Sequence, residues 1–154
     1  MMKPISVWKQ ELSGGAHAAR LAALYCCAPE QTPAQAARYE AVLDGLEATF
    51  GPHAEAGLYS APGRTEIGGN HTDHQHGRVL AGSVNIDMIA AAGPNTLGQL
   101  RVQSEGYDLC VIDLNDLAAR KEEENTSAAI LRGECEAFRQ RGAKLSGLDV
   151  YISS

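Results

Sequence analysis

Apolar positions recur at helical spacing through the first third of the chain. Ala16–Tyr25 carries Leu21, Leu24 and Tyr25 on one stripe. Further on, Tyr39, Val42, Leu43, Leu46 and Phe50 fall at i, i+3, i+4, i+7 and i+11. Thr32-Pro33-Ala34-Gln35 stands ahead of that stripe as a start signal: a capping hydroxyl, a proline where no donor is needed, and a glutamine three residues on. Gly51-Pro52 stops it. Residues 1–58 are therefore expected to be helical.

The period then changes from 3.6 to 2. Leu58–Ile67 reads as a strand interrupted by Pro62-Gly63, and Gly68–Gly77 as a polar loop. Val79–Val84, Asp87–Ala92, Leu100–Gln103 and Leu109–Leu114 are short apolar runs rich in β-branched residues, separated by Gly, Asn, Pro and Asp. Each is expected to be a strand. Lys121–Glu124 is a charge run that reads as a solvated face or turn. Thr126–Arg141 is a second well-formed helical pattern, with Leu131, Cys135 and Phe138 on one stripe and Gly142 to end it. In Gly147–Ser154, Leu148, Val150 and Ile152 alternate with Asp149, Tyr151 and Ser153. The pattern is α+β: helices first, a mostly antiparallel set of strands, one more helix, then a final strand.

No turn, cap or tail follows that last strand, so the pattern reads as interrupted. An unpaired strand edge recruits another chain, and Asp149 is the only charge among its eight residues. The expectation is a homodimer formed through this exposed C-terminal strand or its apolar face.

Composition narrows the class. A chain of 154 residues with 44% apolar and 21% charged positions is a soluble globular balance and allows one domain. With 24 Ala against eight aromatics, its core is built from small side chains. The net charge is -6 and no third of the chain is basic, which makes nucleic acid and anionic membrane poor partners. Cys26, Cys27, Cys110 and Cys135 form no Cys-x-x-Cys pair and suit neither a zinc ribbon nor a secreted disulfide scaffold. No apolar signal core opens the chain and no run approaches the ~18 apolar residues of a membrane span. The expected location is cytoplasmic.

Polar chemistry is concentrated in residues 61–80, which hold three of the five histidines. Three readings compete there. His71, His74 and His76 with Asp73 are candidate metal ligands, although ligands crowded on one short loop rarely converge on one ion without a second segment. The same residues can form a plain solvated loop. They can also form a polyol site, in which a carboxylate such as Asp73 accepts two hydroxyls of a vicinal diol, an imidazole fixes a third and an arginine addresses an anion.

The third reading is favoured by a resemblance. Gly63-Arg64-Thr65-Glu66-Ile67-Gly68-Gly69-Asn70-His71-Thr72-Asp73-His74, followed by Gly77-Arg78-Val79-Leu80, resembles the galactokinase signature of the GHMP small-molecule kinases, G-R-V-N-L-I-G-E-H-T-D-Y and a short strand. The preceding Ala61-Pro62 and the closing Gly147–Ser154 are similar too, so the resemblance runs from about Leu58 to the last residue. It implies that Arg64 lies near the anomeric hydroxyl and the transferred phosphoryl, as both a catalytic and a sugar-binding residue. It implies that His71 and Asp73 grip ring hydroxyls. Asn70 stands where the family has Glu, a contact to the 6-hydroxyl; His74 replaces Tyr, Glu66 replaces Asn and Gly68 replaces Ile. An amide donates as well as accepts, whereas a carboxylate only accepts, so the C6 contact differs in kind. Ser127 occupies the helix position where galactokinases often present an aromatic to adenine.

The resemblance thus implies that residues 1–154 are the N-terminal, sugar-binding portion of a galactokinase-like enzyme. In the intact enzyme the γ-phosphoryl of Mg-ATP would pass to the 1-hydroxyl of galactose. The phosphate loop and catalytic aspartate of the family have no counterpart in this sequence, so the fragment alone is expected to be inactive, with neither ATP nor Mg2+ bound and no metal at the histidines. The alternative is a non-catalytic sugar-binding or sensing protein derived from a galactokinase.

Overall fold

The fold was described from a computed structural model, which defines residues 2–69 and 76–154. A two-residue strand β1 (Lys3–Pro4) leads directly into α1 (Ile5–Ser13), followed by α2 (Ala18–Tyr25) and α3 (Thr32–Phe50). Two long strands come next, β2 (Glu55–Gly68) and β3 (Leu80–Pro94), then β4 (Gln99–Ser104), β5 (Cys110–Asp113), α4 (Ser127–Gln140) and β6 (Leu148–Ser153). The six strands form one sheet in the order β1-β2-β3-β6-β4-β5. Every pairing is antiparallel except β4 with β6. The class is α+β, as the change of period predicts.

Helix α3 packs its stripe inward: Tyr39, Val42, Leu43 and Leu46 are buried and meet Ile89 and Ala91 of β3 in the main core. Its start differs from the capping reading. A 3-10 turn, Pro29–Gln31, runs straight into the helix, and Thr32 Oγ1 donates to the Pro29 carbonyl at 2.8 Å rather than capping a free N–H. The sheet contributes the other half of this core, because the period of two turns Ile89, Ala91 and Tyr151 toward α3. A second, smaller core lies on the opposite face of the sheet, where Ile112, Leu117 and Cys135 join α4 to β5. Phe138, placed on that stripe by its spacing, is 55% exposed instead. The buried position is Arg132, which holds Glu123 through two hydrogen bonds at 2.8 and 2.6 Å and donates to the Asp116 carbonyl. One member of the charge run is therefore a structural ion pair rather than a solvated side chain.

Three expectations for the strands are corrected. Strands occur inside the stretch read as helical: β1 at Lys3–Pro4, and β2 from Glu55, because α3 already ends before Gly51, whose φ of 88° suits glycine. The runs Val79–Val84 and Asp87–Ala92 belong to one strand. The break between them is a bulge: Pro62 pairs with Asp87 and Arg64 with Ser83, so Val84, Asn85 and Ile86 face Gly63 alone. The closing strand is not an edge. It pairs with β3 over Leu148–Ser153 and with β4 over Leu148–Ile152, which satisfies most of the backbone groups expected to recruit a second copy. Its alternation is also reversed relative to the main core, since Asp149 and Tyr151 face α3 while Leu148, Val150 and Ile152 lie half-buried on the other face.

Helix α3 approaches β6 closely through Gly45. A Cβ at that position would run into the ring of Tyr151, so the absence of a side chain sets the spacing between helix and sheet.

Candidate functional site

Arg64, the one described residue of the predicted site, sits on the β2–β3 hairpin just beyond the bulge. Gly63 makes the bulge possible because a Cβ there would crowd the Ile86 carbonyl and Val84 Cγ2, both at 3.2 Å. The irregularity re-aims the next side chain. Arg64 emerges with its guanidinium 72% exposed, 3.8 Å from Glu66 on the same strand face. At the tip, Gly69 has φ 79° and lies so near the returning strand that a Cβ would enter the Arg78 carbonyl. His76 closes the other side of the tip with φ 61°, a conformation that histidine tolerates better than most residues. Asn70, His71, Asp73 and His74 lie outside the described residues. Among the described residues, no group of three or more His, Cys, Asp or Glu side chains converges as a metal site.

Below the bulge, a buried polar network ties the hairpin to the helices. Asp87 pairs across from Pro62. Its carboxylate accepts from Ser60 Oγ at 2.5 Å, Tyr25 Oη at 2.6 Å and Arg38 Nη2 at 2.7 Å. Tyr25 and Tyr39 share a further hydroxyl–hydroxyl bond of 2.8 Å. Burial works to raise the Asp87 pKa, but the bonds from Ser60, Tyr25 and Arg38 outweigh it and hold the carboxyl below the usual carboxylate range. The same burial, with Asp87 and Tyr39 as neighbours, pushes the Tyr25 phenol far up, so it stays a donor. The pattern alone does not disclose this network. Its available signal was an acid at an inward position of the run Val84-Asn85-Ile86-Asp87-Met88-Ile89.

Two features therefore define the arm: a buried, charged anchor at its base, and an outer part that carries the exposed Arg64 and ends at Gly69. The sequence description that matches this arm is the "Galactokinase galactose-binding signature", over residues 46–94. The chain carries the galactokinase signature. That span takes in the end of α3, all of β2 and β3, and the tip between them.

The galactokinase relatives match the chain as a portion of themselves. Galactokinase of Streptomyces coelicolor is 33% identical over 100 residues, covering 64% of this chain and 25% of that protein. Galactokinase of Lacticaseibacillus casei is 26% identical over 113 residues, 73% of this chain and 29% of that protein. A crystal structure of Lactococcus lactis galactokinase complexed with galactose shares the fold, with a TM-score of 0.65 at 20% identity, over 79% of this chain and 31% of that one. The chain thus corresponds to the N-terminal part of galactokinases and spans between a quarter and a third of their length.

Proposed function

We propose that this chain is the galactose-binding, N-terminal portion of a galactokinase-like sugar kinase, and that residues 1–154 form one unit within it. The observation that carries the reading is the match of the galactokinase galactose-binding signature to the hairpin arm that holds Arg64 and residues 70–75. In this reading His71 and Asp73 hold ring hydroxyls of the sugar, and Asn70 faces the 6-hydroxyl with an amide. Arg64 lies beside the 1-hydroxyl. Among the described residues its exposed side chain makes one ion pair, 3.8 Å from Glu66, which leaves donors for an incoming anion.

The reaction proposed for the intact enzyme passes the γ-phosphoryl of ATP to the sugar 1-hydroxyl. Arginine contributes there by stabilising charge on the transferring group and orienting the attacking oxygen. On its own the chain would bind sugar without phosphorylating it. A cytoplasmic location fits its four free cysteines. Among the described residues no helix is long and apolar enough to cross a membrane.

Kinase assays on the full-length polypeptide containing this chain test the proposal. ATP-dependent phosphorylation of galactose should exceed that of glucose by orders of magnitude in kcat/KM, because a site built around a hydroxyl rejects a sugar that leaves its polar groups unpaired. Equal values for the two sugars would refute it. Galactose binding without turnover would identify a sensor instead.

A further inference from the structure

A second concavity lies away from the hairpin tip, along the outer edge of β2. Strand β1 pairs with β2 only at Lys3–Ala56 and Pro4–Glu55, because Ile5 already begins α1. From Gly57 onward the outer edge of β2 has no neighbouring strand among the described residues. The Ala56 carbonyl on this edge accepts the Trp8 indole N–H at 2.8 Å. Pairing with β3 is regular through this stretch, so the strand's period of two turns the N–H and C=O of Leu58 and Ser60 to the same side. These residues rim a cavity of about 350 Å³ between the strand edge, α1 and α2.

The walls have a consistent chemistry. Trp8 and the half-exposed Leu24 are apolar surfaces, and Lys3, His17 and Arg20 are basic. Glu11 is already shared by Lys3 at 2.6 Å and His17 at 2.8 Å, so one acid serves two bases. Arg20 is exposed and has no ion-pair partner among the described residues. A local excess of basic groups on a chain of net charge -6 selects an anionic partner. An open strand edge selects an extended backbone.

We propose that this edge binds an extended acidic peptide segment by strand addition. Its backbone would pair with Leu58 and Ser60, its apolar side chains would rest on Trp8 and Leu24, and its carboxylates would meet Arg20 and Lys3. The site lies on the outer edge of β2 below the bulge, inside the span the signature matches but away from the hairpin tip, and does not rest on the sugar reading.

Trp8 is the only tryptophan in the chain and reports on the cavity directly. The probe is a hexapeptide of alternating Val and Thr ending in two Glu, titrated into the 154-residue chain to millimolar concentration while Trp8 emission is followed. The expected result is a saturable shift in emission. Arg20→Glu, an exposed substitution checked for unchanged circular dichroism, should weaken binding at least about tenfold. A version N-methylated at alternate backbone positions should lose binding, and one ending in two Lys should not bind. No saturable change with the acidic peptide, or equal binding of the N-methylated or lysine version, would overturn the proposal.

Discussion

Arg101 holds Asp149 in a fork, Nε to Oδ1 and Nη2 to Oδ2, both at 2.6 Å. The carboxylate is 1% exposed, and two further groups complete its shell: Asn95 Nδ2 at 2.6 Å and His53 Nε2 at 3.0 Å. Arg101 also lies over the Phe50 ring, 4.8 Å from its centroid, so the fork joins the end of α3 to adjacent strands β4 and β6. Removing one member of such a buried pair leaves an uncompensated charge. Asp149→Ala should destabilise the chain by about 3–5 kcal/mol in urea unfolding. A loss below ~1 kcal/mol would show that water replaces the carboxylate.

The acid limb of stability should depend on Asp149 and Asp87. Burial acts to raise both pKa values. Hydrogen bonds outweigh it, from Arg101, Asn95 and His53 to Asp149, and from Ser60, Tyr25 and Arg38 to Asp87. Both folded pKa values therefore lie below the unfolded value near 3.9. Stability from these groups is fully present above that unfolded value and is lost as pH falls through the depressed folded values. Urea midpoints should hold down to about pH 5 and drop steeply below about pH 4. Asp149→Asn should flatten that drop relative to the parent chain.

The contact between Gly45 and Tyr151 gives an opposite-sign test of helix propensity. In an exposed helix, Gly→Ala gains up to about 1 kcal/mol. Here the added methyl meets the Tyr151 ring, and overpacking of this kind costs about 1–3 kcal/mol. Gly45→Ala should therefore lower the thermal midpoint, and adding Tyr151→Leu should recover part of the loss. A Gly45→Ala chain more stable than the parent would mean that the helix shifts freely on the sheet.

Elements with a local cause were legible in the sequence. The stripe Tyr39–Phe50 needs only the helical period to predict its buried face. Asp149 was not legible. Its neighbours Leu148, Val150 and Ile152 advertise the wrong face, and its ligands Asn95, Arg101 and His53 lie 54, 48 and 96 residues away. Asp87 is similar, since Tyr25 and Arg38 come from separate helices. Of the predicted site, Arg64 is placed on the arm, whereas Asn70, His71 and Asp73 lie outside the described residues and rest on the resemblance to a known signature.

Arg64 separates stability from function. Its exposed side chain makes one long ion pair, which contributes little, so Arg64→Ala should leave unfolding within about 0.5 kcal/mol of the parent. In the full-length enzyme the same change should lower kcat more than it changes the sugar KM. A fall in melting temperature with unchanged kcat would assign the residue to the fold alone.

The three-against-one bulge at Gly63 also divides the hairpin energetically. Below it, β2 and β3 lie against α3 and the Asp87 anchor; beyond it, residues 64, 65 and 76–81 are exposed and contribute almost nothing to either core. The outer arm is therefore expected to open as a separate cooperative unit, at a free energy below that of global unfolding. Amide hydrogens of Arg64, Thr65 and Gly82 should exchange by this local route, while those of Ile89 and Ala91 wait for the whole molecule. A sugar held at the tip would slow exchange in the arm and leave the global rate nearly unmoved, so the energy of ligand capture would be stored in the hairpin as order.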